Sequence, residues 1–348
     1  MKKITVYIFL FFFLFHAGLS VCNSQNHSEI SIDLKEVEMI PVLNRNLSYS
    51  RFQIIQPVNN QYVIIHRQPE GVSVMNRNGE LQSQPGRSGR GPFEMQTPRY
   101  IHYTNQKVYI WDSNNLKFLV FDENIEPDVE FLGIRHAIDG FVVNNKGHIA
   151  VFQSPRVQDH FVHIYEVNES NRLTKRKDLG NLTDEGRTLF FRSNTGGILW
   201  NEDDLVWVEP SRTILNVYST DHDKLLEIPF EDEYFEVGPS PYKPDGNFTS
   251  QTLSNIEEYF LSNSRIVSIR KLKEHILVEM EHFREEESII TYAIFDLDYN
   301  KVGRIELEEG GWTNYIRGVE ENRLLYLAED YETTGMTRQI RVREIIIE

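Results

Sequence analysis

The sequence predicts an all-β protein, namely a six-bladed β-propeller with four-stranded antiparallel blades, and three observations lead to this prediction. Six segments share one plan, in which an apolar run, a polar turn and a second apolar run end in another turn. Their starting points lie about 40 to 70 residues apart, close to the length of one propeller blade. Valine, isoleucine and aromatic residues dominate the runs, and helix signals are scarce.

The repeated units follow one another over most of the chain. They are Gln61–Glu80, Lys107–Asn124, His148–Ser170, Asp204–Lys224, His275–Lys301 and Arg323–Glu348. Turns with residues that tolerate a positive φ separate the runs, as at Asn78-Gly79. Because such units can bury both faces by stacking radially, we expect a propeller over residues 30–348.

The two ends of the chain are expected to share one blade. Residues 31–41, SIDLKEVEMIP, form a strand-like run that can complete the blade of the sixth unit, beside the C-terminal run VREIIIE. One segment departs from the β pattern, because residues 250–261 have a helical apolar period and begin with a serine. We interpret it as part of a loop and short-helix insertion near residues 230–264.

Residues 86–122 resemble the NHL-type repeat of six-bladed propellers, a type related to the TolB-like propellers. The matching elements are Gly86, Gly89, Gly91, Phe93, Pro98, the strand Val108–Asp112, the turn Ser113–Asn115 and the strand end Val120–Asp122. The chain also resembles exported, lipoprotein-like propeller proteins of Bacteroidota. These resemblances imply a fold and a compartment, and they assign no reaction.

The stretch GRSGRGPFEMQTP, residues 86–98, has the glycine content of a phosphate-binding loop. A Walker loop needs a lysine and a hydroxyl residue after its glycines, and a dinucleotide loop needs a following helix. Here Pro92, Phe93 and a strand follow instead. We interpret the stretch as a crossing between the first two blades with Phe93 wedged between them; the alternative is an anion site built from Arg87 and Arg90.

The N-terminus has the order of an export signal, since two lysines precede an apolar run of residues 4–15 and a segment of small residues. The run is shorter than the roughly 20 residues that span a membrane. Cys22 is the only cysteine, and Leu19–Cys22 resembles a bacterial lipobox, although Val21 stands where a small residue is usual. Two alternatives remain open. One is a signal peptide over residues 1–22 with lipidation at Cys22, and the other is plain cleavage after Ser20.

The net charge and the predicted export limit the classes of partner that we expect. The chain has 36 lysines and arginines against 52 aspartates and glutamates, a net charge of −16. Nucleic acid is disfavoured as a partner because phosphate groups are bound by positive surfaces. We expect the protein in the bacterial periplasm, at the outer membrane through a lipid on Cys22, or secreted, and we expect membrane contact only through that lipid.

Two groups of residues could bind a metal and are interpreted otherwise. Residues 296–300, DLDYN, begin like a calcium loop, but Lys301 replaces the required glycine and Leu307 the distal glutamate, so we predict a strand-end turn. His275, Glu279, Glu281 and His282 lie in one strand, with His282 on the opposite face from the other three. We expect solvated edge residues there and no metal site.

Two functions of different classes remain. No Gly-x-Ser-x-Gly motif is present, and the catalytic residues are unknown. The favoured function is a binding or protein-interaction scaffold that holds a protein, peptide or glycan at one mouth of the propeller without a cofactor. The alternative is a metal-dependent hydrolase or lyase, with calcium or zinc as its metal, whose site would lie in the central channel. The binding function is favoured because the enzymatic function needs metal ligands that converge on one site. The sequence shows no such ligands at a recognisable spacing.

Overall fold

The predicted six-bladed β-propeller is confirmed by the computed structural model, in which the described strands form six four-stranded antiparallel sheets. The structure describes residues 32–43, 51–67, 70–153, 160–181, 183–192, 196–241, 250–284, 287–307, 315–332 and 335–347. The predicted export signal and Cys22 lie outside these residues. The described elements belong to one compact unit, Ile32–Ile347.

Twenty-four strands and two helices are present in the described residues. In chain order they are β1 (Ile32–Pro41), β2 (Arg51–Val58), β3 (Gln61–Arg67), β4 (Gly71–Asn76), β5 (Leu81–Ser83), β6 (Pro98–Thr104), β7 (Lys107–Asp112), β8 (Lys117–Asp122), β9 (Pro127–Leu132), β10 (Gly140–Val143), β11 (Ile149–Phe152), β12 (His160–Val167), β13 (Leu173–Asn181), α1 (Asp184–Arg192), β14 (Gly197–Asn201), β15 (Asp204–Val208), β16 (Ile214–Ser219), β17 (Lys224–Pro229), α2 (Ser250–Ser262), β18 (Arg265–Lys271), β19 (His275–Arg284), β20 (Glu287–Asp296), β21 (Lys301–Leu307), β22 (Ile316–Glu320), β23 (Arg323–Glu332) and β24 (Gly335–Ile347).

Blades 1 to 5 each use four consecutive strands, beginning at β2, β6, β10, β14 and β18. Blade 6 consists of β22, β23 and β24 together with β1. The first strand of each blade is innermost, because the first strands of neighbouring blades lie side by side at five of the six junctions. At the sixth junction, between blades 5 and 6, β18 and β22 are set further apart.

The antiparallel order assigns every connection to one of two faces. Connections from the second to the third strand lie at the same end as those that lead to the next blade; we call this end the front face. Connections from the first to the second and from the third to the fourth strand lie at the opposite end, the back face.

Strand β1 closes the ring as predicted from the sequence. It pairs antiparallel with β24 from Ile32 opposite Ile347 to Pro41 opposite Gln339, with one irregularity between Glu36 and Glu38. Ile40 is buried in the apolar layer that blades 6 and 1 share. The N-terminal strand therefore contributes both a hydrogen-bond ladder and core packing to the last blade.

One apolar layer fills each junction between neighbouring blades. The second and third strands are covered on both sides, and in β7, for example, all residues from Val108 to Asp112 are buried. The fourth strands are largely exposed, as in β17. This explains why the six sequence units correspond to the second and third strands, whose runs are the most apolar.

Both helices belong to front-face connections, with α1 between blades 3 and 4 and α2 between blades 4 and 5, and they contact each other. Leu189 of α1 and Ile256 and Tyr259 of α2 are buried. The Thr183 hydroxyl caps α1 by accepting a hydrogen bond from the Gly186 amide at 3.1 Å. In the described parts of the chain, no helix combines the length and apolarity needed to cross a membrane.

Candidate functional site

The two faces of the propeller differ in how their connections are built. On the back face, the described connections are short turns such as 59–60, 105–106 and 202–203. On the front face lie the glycine-rich loop of residues 84–97, the connection that contains α1, and the long connection of residues 230–264 that contains α2. The front face is therefore the face on which this chain differs from a minimal propeller.

The glycine-rich loop uses its amide groups to bind carboxylates of the protein itself. The Gly91 amide donates to the Glu94 carboxylate at 2.7 Å, and the Phe93 amide donates to the Glu130 carboxylate at 2.6 Å. The amides of residues 96 and 97, at the end of the loop, donate to Asp112 at 2.8 and 2.9 Å. The loop thus resembles an anion-binding loop whose anions are supplied by the chain.

Space around Glu94 explains two of the loop glycines. A Cβ atom on Gly89 would lie 2.0 Å from the Glu94 Oε2 atom, and one on Gly91 would lie 3.0 Å from it. Neither residue has a positive φ; that conformation occurs instead at Gly86 (79°) and at Phe93 (53°). Gly89 and Gly91 therefore leave room for the Glu94 carboxylate, and Gly86 supplies the positive φ of the turn.

Phe93 and Lys117 fasten the loop to blade 2. Phe93 packs against the apolar layer between blades 1 and 2, with its ring centroid 5.9 Å from that of Phe121. The buried Lys117 ammonium donates to the Gly91 carbonyl at 2.9 Å and pairs with Glu130 at 2.6 Å. These contacts agree with the interpretation of the stretch as a crossing between blades with a wedged phenylalanine.

Arg87 and Arg90 lie on the exposed side of this loop. Among the residues that the structure describes, neither guanidinium group forms an ion pair. Because several loop amides already bind carboxylates, an anion held there would depend mainly on these two exposed side chains. The anion site at Arg87 and Arg90 stays a prediction.

The expectation of solvated edge residues in β19 is wrong. Glu279, Glu281 and His282 are 1%, 3% and 1% exposed, because β19 is the second strand of blade 5 and is covered on both faces and both edges. The predicted alternation holds, since Glu281 pairs with Arg265 while His282 approaches Asp232 on the other side. Blade 5 therefore contributes buried polar groups to separate clusters on its two faces.

The first set anchors α2 to the propeller. The Arg265 guanidinium pairs with Glu281 and lies between two rings, 3.7 Å from the centroid of Phe260 and 4.8 Å from that of Phe283. It also donates to the Phe260 carbonyl at 2.9 Å, near the C-terminal end of the helix. Both charged groups are buried, so removal of either would leave the other without compensation.

The second set has the composition of a catalytic triad. The His282 ring lies 3.1 Å from the Ser264 hydroxyl through Nδ1 and 3.6 Å from the Asp232 carboxylate through Nε2. The Ser264 hydroxyl donates to the Tyr234 carbonyl at 3.0 Å and accepts from the Glu236 amide at 3.0 Å. All three side chains are buried. The Ser264 hydroxyl already donates its proton to a backbone carbonyl, so the arrangement fixes residues 232–236 against blade 5.

A third polar cluster lies at the junction of blades 5 and 6, where the innermost strands are set apart. The Glu279 carboxylate accepts from the Ser268 hydroxyl at 2.7 Å and from the Ile316 amide at 3.2 Å. Arg270 of β18 and Arg317 of β22 are the cationic neighbours of this carboxylate. Burial raises the pKa of Glu279 and lowers the pKa of both arginines.

Glu209 is a buried carboxylate that sequence analysis missed. It follows β15 at the front face, has a side chain 4% exposed, and has the Arg212 guanidinium 3.3 Å away. Burial raises the pKa of Glu209 to about 7. No local motif indicates this residue, because its environment depends on the neighbouring loop and on the start of α1.

The turn at Asp296 has the form predicted from the sequence. Its carboxylate accepts hydrogen bonds from the Asp298 amide at 3.0 Å and the Asn300 amide at 2.8 Å, so its oxygens stabilise the turn. In the described ranges, no three histidine, cysteine, aspartate or glutamate residues are grouped as a metal site would require.

No protein-family model matches the chain, and no curated protein matches it. Among solved structures, a DUF4221 family member from Bacteroides vulgatus superposes with a TM-score of 0.62 and 11% identity, over 91% of this chain and 98% of that one. A Bacteroides fragilis protein described as exported has a TM-score of 0.62 and 12% identity, over 93% and 97% of the two chains.

The fold is shared with an exported Bacteroides protein. That description agrees with the export predicted from residues 1–22. U3-55K is a more distant structural relative, with a TM-score of 0.51 and 10% identity over 84% of this chain and 79% of that one. At these identities the comparisons establish the propeller fold; they do not establish the NHL type of repeat or a ligand.

Proposed function

We propose that this protein is an exported binding module of the bacterial cell envelope that holds a protein, peptide or glycan ligand at its front face. The observation that carries the proposal is the difference between the two faces. Short turns close the back face, whereas the front face carries the glycine-rich loop and two helices. Connections on a rigid scaffold are the usual place for binding residues.

The way these connections are held supports a binding role. The glycine-rich loop is fixed by Glu130 and Asp112, and α2 is fixed by the Arg265–Glu281 pair. Connections fixed in this way lose little conformational entropy when a ligand binds. We expect the module to reside in the periplasm or at the outer membrane, where a lipid on Cys22 would hold it.

A ligand screen with a turnover measurement tests this proposal. The purified protein without its signal peptide is offered bacterial and host glycans, peptides and envelope proteins, and each ligand that binds is recovered and analysed for chemical change. We expect a ligand that is bound and returned unchanged. Turnover of a bound ligand, together with stoichiometric calcium or zinc that survives dialysis, would establish the hydrolase or lyase alternative instead.

A further inference from the structure

A cavity of about 610 Å³ lies between blades 4 and 5, beside the outermost strand β21. Two front-face connections, the one after β15 and the one after β17, form its wall together with this strand. Its lining comprises two phenylalanines, one threonine, three carboxylates and two cationic side chains. The volume falls within the roughly 300–1,000 Å³ that is usual for small-molecule sites. The cavity can therefore hold a ligand group, and it belongs to the face that we propose for binding.

Two phenylalanines give the cavity an apolar floor that the core holds in place. Phe230 is buried, and its ring meets that of Phe295 edge to face with the centroids 5.2 Å apart. Phe235 is partly buried and packs against the same apolar layer between blades 4 and 5. The Phe230 amide also donates to the Thr213 carbonyl at 3.0 Å. The floor is therefore already formed in the protein without a ligand.

Arg304 forms a charged wall whose groups compensate one another. Its guanidinium group lies 3.1 Å from Asp232 and 3.0 Å from Glu233, both of which line the cavity. It also lies 3.3 Å from Glu306, and its centre is 4.4 Å from the centroid of the Tyr234 ring. A guanidinium group with this many partners is fixed in position. The wall thus presents paired charges, and its geometry does not depend on a ligand.

Two exposed groups of opposite sign complete the lining. Glu231 and Lys301 are both exposed. The Lys301 ammonium donates to the backbone carbonyl of Glu231. Across the part of the chain that the structure describes, the Glu231 carboxylate has no hydrogen-bond partner, and Lys301 forms no ion pair. One strong acceptor and one strong donor are therefore available at the edge of the cavity.

Charges of both signs in one cavity disfavour a ligand group with a full charge. An ammonium or guanidinium group would meet Lys301 and Arg304, whereas a carboxylate or sulfate group would meet the three carboxylates, and like charges repel at close range. A hydroxyl group both donates and accepts, so it suits either charged neighbour, and hydrogen bonds to charged groups are the stronger ones. A sugar ring combines several hydroxyl groups with an apolar face that can pack on the phenylalanine floor.

We propose that the cavity between blades 4 and 5 binds a neutral sugar residue of a glycan, with the Glu231 carboxylate as acceptor and the Lys301 ammonium as donor for its hydroxyl groups. This inference rests on the proposed binding function and selects the glycan among its ligand classes. The apolar face of the ring packs against Phe230 and Phe235. Sugars with methylated hydroxyl groups are then expected to bind more weakly than the free sugars.

Titration calorimetry with defined neutral glycans tests the inference. Maltotriose, cellotriose, mannotriose and triacetylchitotriose are titrated up to about 10 mM into the protein without its signal peptide. We expect at least one of them to bind, and its Kd to rise at least about tenfold in Glu231→Ala and in Lys301→Ala, because each variant removes a hydrogen bond to a charged group. Glu227→Ala, on the neighbouring exposed strand β17, is the matched control and should bind like the parent.

Thermal unfolding of the same variants controls for folding. Glu231 and Lys301 are exposed, so both variants should melt close to the parent, and a folding defect in one leaves the other as the test. Equal glycan affinity in the parent and the variants, or failure of all four glycans to bind, would overturn the inference. If these glycans fail but the ligand screen yields a peptide or protein, the sugar site is wrong and the proposed binding function stands.

Discussion

At the scale of single residues, one turn recurs where the third strand of a blade meets the fourth. A side-chain oxygen at the strand end accepts hydrogen bonds from the amides two and four residues later. The residues that do so are Asn76, Asp122, Asn168 and Asp296. The position three residues later has a positive φ and is occupied by Gly79, Ile125, Asn171 and Tyr299. Glycine and asparagine suggest such a turn in the sequence, whereas isoleucine and tyrosine do not.

Residues of the polar clusters were harder to predict than the turns. Glu94 and Glu130 are 36 positions apart in the sequence, yet both bind amides of one loop. Glu279 is buried by strands from two blades. A sequence indicates that a residue is charged, but not which distant elements will surround it. Their burial therefore became visible only in the folded ring.

Replacement of Gly89 by alanine is expected to destabilise the protein by about 1–2 kcal/mol. The new Cβ would displace the Glu94 carboxylate and break its hydrogen bond to the Gly91 amide. Urea unfolding measures the change. Arg90→Ala on the same loop is the matched control and should stay within about 0.5 kcal/mol of the parent. Equal stability of Gly89→Ala and the parent would show that the loop tolerates a displaced Glu94.

Glu209 predicts a pH dependence of stability. Its pKa rises from 4.5 to about 7 on folding, so the folded state holds a proton that the unfolded chain releases. This group therefore lowers the free energy of unfolding as the pH rises from 4.5 to about 7, by up to about 3 kcal/mol. Glu209→Gln should remove this loss, which makes the variant more stable than the parent at about pH 8 but not at about pH 4.5.

The matched control for Glu209 is Glu227→Gln, a change on the exposed strand β17. Because the Glu227 side chain is exposed, the stability difference of this variant from the parent should be small and should vary little with pH. Urea unfolding of all three proteins between about pH 4 and pH 8 gives the two difference curves. A flat curve for Glu209→Gln would contradict the assigned burial effect.

At the scale of elements, the sequence predicted the hairpins of second and third strands better than the remaining elements. Those hairpins are apolar on both faces, whereas exposed fourth strands such as β17 have no comparable signal. The helix α1 was not predicted. It has only nine residues and includes Gly186, and it depends on the Thr183 cap and on the packing of Leu189.

Deletion of residues 31–41 is expected to destabilise the whole ring by several kcal/mol. The deletion removes the strand that pairs with β24 and exposes the apolar layer around Ile40. As a finer measurement, Ile40→Ala should cost about 2–4 kcal/mol, whereas Val37→Ala, on the exposed side of the same strand, should cost less than about 0.5 kcal/mol. A deletion variant that melts like the parent would contradict closure by β1.

At the scale of the whole molecule, repeat spacing was sufficient to predict the ring, its six blades and its closure by the N-terminal strand. It could not predict which polar side chains the blades bury together. The buried Glu279 carboxylate, for example, accepts a hydrogen bond from the Ile316 amide of the next blade, 37 positions away in the sequence. Spacing along the chain therefore identifies the scaffold, while the buried polar clusters depend on the complete ring.

Lipidation at Cys22 stays a prediction that cell fractionation can test. If this cysteine carries a lipid, Cys22→Ala should move the protein from the membrane fraction to the soluble fraction, because the acyl chains provide the attachment. Fractionation of bacterial cells that express parent and variant measures this, with Ser28→Ala, beyond the predicted signal peptide, as a control that keeps the cysteine. A soluble parent protein would instead indicate plain cleavage.

Hydrogen exchange with a bound ligand tests the central claim, that the front face is the binding face. The amides of the parent protein are compared with and without a ligand from the screen. The account predicts slower exchange in front-face segments such as 84–97 and 230–241, with little change in the back-face turns such as 105–106 and 202–203. Protection confined to the back-face turns would contradict it.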